Sequence, residues 1–172
     1  EGAGTLDSRA FHALLDDLSV TLRFSSSRDD FTGTLKTLTR NRDKAAELLT
    51  LALTAPRFDA EAVDRMRAAN QSRIRTSLSD PDWAAARLLN DVAFAGHPYA
   101  RNSGGTLTSL AAITPDDLRA FHKRFLGKAN LYVGIAGDMT PAEAQAFLDQ
   151  VFGGLPAGAA LPPASPAKLP DA

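Results

Sequence analysis

Three histidines, several aspartate pairs and a group of arginines are the side chains whose types and spacing invite a chemical reading. His12 precedes Asp16 by four residues, so a helix would carry both on one face as half of a metal-binding pair. A zinc centre needs at least three protein ligands in one place, and no second histidine follows nearby. An amphipathic or capping role is the preferred reading. His97 lies between Gly96 and Pro98, where an imidazole can bond a backbone carbonyl and fix a turn, and no nucleophile stands beside it for base catalysis. His122, next to Lys123 and Arg124, reads as positive charge near the C-terminal end of a helix, where the dipole favours it. The aspartate pairs at 16/17, 29/30 and 116/117 are adjacent, and adjacent side chains diverge by about 100° on a helix, so they do not share an acid–base site. Ser25, Ser26 and Ser27 bring hydroxyls without a base and read as a loop. Arg65, Arg67, Arg73 and Arg75 fall within one predicted helix. They read as a solvated face, or less often as contacts to the acidic side chains of a partner or peptide.

Those arginines belong to the segment from Arg57 to Arg75, RFDAEAVDRMRAANQSRIR. After it come Asp80-Pro81-Asp82, Gly96-His97-Pro98-Tyr99, Thr114-Pro115-Asp116-Asp117-Leu118 with Phe121-His122, and NLYVGIAGD from Asn130 to Asp138. In that order, and up to about Pro156, the chain resembles the insulinase, pitrilysin and mitochondrial processing peptidase family. These zinc peptidases carry an inverted H-x-x-E-H motif on one helix and a ligand glutamate on a later one. Laying Phe58-Asp59-Ala60-Glu61 and Ile74 on the later helix places Arg73 at the ligand glutamate and Met66 at an acidic position seven residues earlier. Arginine has no lone pair to give and keeps its positive charge, so these are degenerate site positions.

The resemblance implies that this chain holds no catalytic residue, metal ligand or cofactor, zinc being expected only in an active partner or in a segment outside it. The H-x-x-E-H helix would lie upstream of Glu1. Relatives pair active and inactive subunits or halves around an unfolded peptide. The role implied is a non-catalytic subunit or region that forms the peptide chamber and pairs with an active zinc peptidase or a second half-domain. The arginine–tyrosine pair of inactive partners, seven residues apart, has no counterpart, since Arg124 is followed at that spacing by Leu131 and Arg73 by Asp80. Two alternatives stand beside this reading. One is an active metallopeptidase with H-x-x-E-H outside this sequence and a displaced ligand such as Glu61 or Glu47. The other is a purely structural core-type subunit. The resemblance points to a bacterial protein and to the periplasm.

Composition narrows the classes. With 172 residues, 19 Lys+Arg against 20 Asp+Glu and a net charge of -1, the chain has no basic excess to hold a phosphate backbone. No run of apolar residues is long enough for a transmembrane helix. Cysteine is absent, which excludes disulfides and thiolate chemistry within these residues.

The periodicity predicts an α+β fold, with an antiparallel sheet made of a hairpin and a further strand, packed with several helices. Leu6, Ala10, Phe11, Leu14, Leu15 and Leu18 recur at helical spacing after Asp7 or Ser8 as N-cap. Val20–Phe24 and Phe31–Leu38 alternate as a hairpin, with Gly33 marking a bulge. Helices follow from Asn41 to Pro56, from Asp59 to about Thr76, from Asp80 to Gly96, from Thr114 through Phe125 and from Thr140 to Phe152. A turn is expected near Leu107–Ala111, and Leu131–Ala136 reads as the further strand. The predicted core is Phe24, Phe31, Leu35, Leu49, Leu53, Trp83, Leu88, Phe121 and Ile135. Residues 1–153 form one domain in this reading, and 154–172 a Pro/Ala-rich linker to a second. Strands near 20–24, 31–38 and 130–137 would keep an open edge, which predicts self-association of the chain on its own.

Overall fold

Asp7 starts the first helix by accepting the Ala10 N–H on its side chain at 2.8 Å, and α1 runs Ser8–Asp17. A computed structural model describes residues 1–158 and 166–167 of the chain. The remaining elements are β1 (Thr21–Ser26), β2 (Phe31–Lys36), α2 (Arg42–Thr54), α3 (Ala60–Ser77), α4 (Pro81–Ala93), α5 (Leu107–Ala112), α6 (Pro115–Phe125) and α7 (Pro141–Phe152). Single 3-10 turns occupy Thr39–Asn41, Pro98–Ala100 and Lys128–Asn130. The fold is α+β, as the periodicity predicted.

The hairpin is antiparallel in unbroken register from Thr21 opposite Lys36 to Ser26 opposite Phe31. Gly33 therefore marks no bulge. It stands across from Phe24, whose ring lies where a Cβ would come within 2.9 Å of Cε1, so glycine opens the space the ring fills. Among the described residues the sheet has these two strands only. The expected further strand at 131–136 has no ladder partner there, although its apolar residues are present and half exposed, with Tyr132 95% exposed.

The central helix is α2. Its Ala45 and Leu48 join Ala3, Phe11, Leu15 and Val20 in one cluster, while Ala46, Leu49 and Leu53 join Val151 and Leu155 in another. Leu22 and Leu35, opposite each other on the hairpin, touch both clusters. Asn41 does not cap α2 with its side chain as expected. Its Nδ2 instead donates to the Leu18 carbonyl at 2.7 Å, stitching the end of α1 to the start of α2. At the other side Arg42 meets Glu143 of α7 at 2.9 Å.

Leu49 and Leu53 are buried as predicted, Leu35 is partly buried and Trp83 is half-buried. Phe24, Phe31, Leu88, Phe121 and Ile135 are exposed, contrary to the predicted core. Phe24 and Phe31 do share the hairpin face of Leu22 and Leu35, but the two rings stack on each other at 5.5 Å instead. Leu155, on the linker side of the expected boundary, is a core residue. The backbones of Lys128 and Ala129 donate to Pro156 and Ala157 at 2.9 and 2.8 Å. The linker positions 159–165 and 168–172 lie outside the described residues.

Candidate functional site

The chain enters α3 through Phe58, whose φ of 51° puts a bulky residue in the left-handed region, a conformation that costs on the order of 1–3 kcal/mol and persists only where neighbours enforce it. Arg57 Nε donates to Asp59 Oδ2 at 2.7 Å, which occupies the carboxylate that would otherwise cap the helix, and the pairing raises the Arg57 pKa above its ordinary value. The Phe58 ring meets His122 edge-on at 6.2 Å. His122 Nε2 donates to the Leu53 carbonyl at 2.7 Å, so its role is structural as expected, although the contact is to the end of α2.

Along α3, residues 62, 63, 66, 67 and 70 form a stripe facing α5 and the start of α6. Ala62 and Val63 are buried, and Met66 is exposed at the mouth of a cavity of about 290 Å³. Phe58, Val63, Leu110, Ile113 and Leu118 supply most of its wall, with Glu1, Arg67 and Asn70 as polar members. A mostly apolar groove suits an aliphatic or aromatic side chain, and its one carboxylate, Glu1, is held by Ser8 and Arg65. Arg67 is held in place. Its Nε donates to the Leu110 carbonyl at 3.1 Å, its Nη2 to the Ile113 carbonyl at 2.6 Å, and its Nη1 to Asp64. These are carbonyls at the end of α5, where a helix leaves its last acceptors unsatisfied.

The other arginines divide. Arg65 Nη2 donates to Glu1 Oε2 at 2.5 Å and also reaches Glu61. The Ser8 hydroxyl, at 2.6 Å, together with Arg65 holds the Glu1 carboxyl below the usual range. Arg73 and Arg75 are exposed, with no hydrogen bond or ion pair among the described residues. Seven residues separate Met66 from Arg73, two turns and about 10 Å along the axis with little angular drift. Arg73 thus continues the groove stripe one turn past Asn70.

His12 is exposed on α1. His97 accepts the Tyr99 N–H on Nδ1 at 3.1 Å within its turn. Thr114 and Thr140 form reciprocal capping boxes with Asp117 and Glu143, which accounts for Asp117 as a first-turn acid with a depressed pKa. Among the described residues no cluster of three His, Asp or Glu side chains is placed to hold a metal ion, and no helix is long and apolar enough to cross a membrane. The groove itself was missed from sequence. Its far wall comes from α5, whose six residues are too short for periodicity to show a face; the one readable sign was Thr106 three residues before Ser109, a reciprocal cap in the structure.

A family model described as the peptidase M16 inactive domain matches residues 112–172. The crystal structure of a peptidase M16 inactive domain from Pseudomonas fluorescens superposes with a TM-score of 0.93 at 25% identity, covering 98% of this chain and 41% of that one. The chain resembles the M16 peptidase family, by that model over residues 112–172 and by fold over nearly its whole length. The chain is also 28% identical over 160 residues to the non-peptidase homolog YmxG of Helicobacter pylori, covering 93% of the chain and 37% of that protein. The first half of the periplasmic protease PqqL from Escherichia coli has the same fold, with a TM-score of 0.80 at 21% identity, over 98% of this chain and 38% of that one. The chain spans about two fifths of the length of these relatives.

Proposed function

We propose that this chain is a non-catalytic unit of an M16 assembly, forming part of the wall of a peptide chamber and pairing with a zinc-bearing peptidase unit or second half-domain. The observation that carries the reading is α3, the stripe that begins in an apolar groove at Met66 and ends at Arg73, two positions where the family pattern set out from the sequence implies acids. Such a surface can receive the apolar side chain of an unfolded peptide and has no means to activate water. Similarity to an inactive domain and a non-peptidase homologue supports it. The match to one half of PqqL supports a second unit following residues 154–172, and the periplasmic location of that protease supports a periplasmic setting. Arg65 and Arg67 serve within the chain, which leaves Arg75 and Arg73 as the arginines available to a partner or peptide.

A photo-crosslinking side chain at Met66, in the complex reconstituted with its active M16 partner, tests this directly. Labelled unfolded peptide is expected to become attached at position 66 while the partner cleaves it. Efficient cleavage with no label at 66, and none from a second probe at Asn70, would remove the groove from the peptide path.

A further inference from the structure

We propose that the cleft between the hairpin turn, α4 and the loop after Pro98–Ala100 is a carboxylate-binding site that takes a peptide-borne carboxylate. The cavity there is about 180 Å³. Arg28 enters from the turn, Trp83, Arg87 and Asn90 from one face of α4, and Arg101 and Ser103 from the loop. Three arginines therefore line a space the size of a small side chain.

The three elements are tied together before any ligand arrives. Tyr99 Oη donates to both oxygens of Asp29, at 2.8 and 2.9 Å, and the Arg28 guanidinium lies 5.4 Å over the Tyr99 ring. Arg87 donates Nη1 to the Ala100 carbonyl and pairs Nη2 with Asp91, so its plane is fixed. Arg28 and Arg101 have no carboxylate partner among the described residues, and the nearest acid of the turn, Asp29, is taken by Tyr99. The Trp83 indole N–H likewise has no acceptor among them.

Arg28 and Arg101, the two guanidinium groups here without a carboxylate among the described residues, are the ones an entering anion would pair, and guanidinium forks match the two oxygens of a carboxylate. The wall also carries the flat Trp83 ring and Ala86 as apolar members, beside Asn90, Asn102 and Ser103. That suits a charge carried on methylene groups better than a bare tetrahedral oxyanion. The site lies apart from the α3 groove and stands without the chamber reading.

Trp83 is the only tryptophan in the chain, so its fluorescence reports this cleft alone. The 172-residue chain is titrated with a capped peptide carrying one glutamate, its glutamine counterpart, a capped-amine peptide with a free C-terminal carboxylate and no acidic side chain, and inorganic phosphate. A saturable change is expected with a carboxylate peptide, at least about tenfold tighter than with the glutamine peptide, and the tighter of the two carboxylate peptides identifies the source. Arg101→Ala, at an exposed position, is expected to weaken it about fivefold or more with unchanged circular dichroism, and Arg28→Ala to do the same. Equal response to the glutamine peptide, phosphate binding as tightly as either peptide, or both variants titrating like the parent overturns the proposal. No partner or zinc enters the measurement, so its failure leaves the chamber reading untouched.

Discussion

The two regions of this molecule are held together by different means. In α1, the hairpin, α2 and α7, apolar side chains are packed in two clusters joined through α2. In α3 to α6, Ala62, Val63 and Ile74 are the buried side chains, and the apolar stripe of α4 faces outward, with Leu88 at 64% and Leu89 at 67% exposure. That second region depends on hydrogen bonds at its seams: Asp80 capping α4, the Thr106 and Thr114 capping boxes, Arg67 on the end of α5 and Arg87 on the turn beside α4. The difference teaches that apolar periodicity in a helix says which face is sticky, while packing decides whether that face is filled. Both the groove and the arginine-lined cleft occur in the region where it is not.

The sharpest way to break this comparison is a matched pair of truncations. Leu49→Ala in α2 is expected to cost about 2–5 kcal/mol by urea denaturation, and Leu88→Ala in α4 no more than about 0.5 kcal/mol. Equal costs would mean that α4 is covered in solution. Next in size is Arg67→Ala, which leaves two carbonyls of α5 unsatisfied and is expected to cost about 1–3 kcal/mol. Amide exchange should quicken in α5 and the start of α6 but not in α2; uniform quickening would show the seam to be part of the main cooperative unit.

A smaller effect separates the regions by pH. The Thr140 backbone N–H and hydroxyl, followed by Arg42, hold the Glu143 carboxyl at about 2, down from 4.5. A depressed carboxylate stabilises the fold above its unfolded value and loses that contribution as pH falls toward its folded one. Thermal melts of Glu143→Gln should therefore lie below the parent at pH 7 and converge with it between about 4.5 and 2; a gap constant over that range would assign the loss to packing. Last comes an expected null. The parent chain and Arg73→Glu should both retain no stoichiometric zinc after dialysis against chelator, because one added carboxylate is not a coordination sphere. One zinc per parent chain in elemental analysis would falsify the degenerate-site reading of Met66 and Arg73.

The helices and hairpin could be read from the residues because their signals are local. Asp7, Asp80-Pro81, Thr114 and Thr140 announce helix starts through side chains that bond within three residues. What failed was non-local. Phe24 and Phe31 lie on the face that alternation assigned them, yet both rings are exposed there. Leu131 to Ala136 has the composition of a strand, but a strand also needs a neighbour, and composition does not supply one. On α3 the family pattern singled out Met66 and Arg73, and the groove in front of Met66 emerged only once Leu110 and Ile113 were placed across from it.

The seam between residues 127–129 and 156–158 has a mechanical consequence. Gly127 and Gly158 approach so closely that a Cβ on the first would stand 2.5 Å from the Cα of the second. Two backbone hydrogen bonds run alongside, and Lys128 Nζ grips the Gly153 carbonyl at 2.8 Å. A pull applied from the C-terminal side would strip this short seam and then dislodge Leu155 from its socket before the load reached the turns of α7. The arrangement is a mooring. It gives whatever follows a fixed point of departure, and it makes Gly127→Ala a change that sets the tow-line loose while leaving the hull intact.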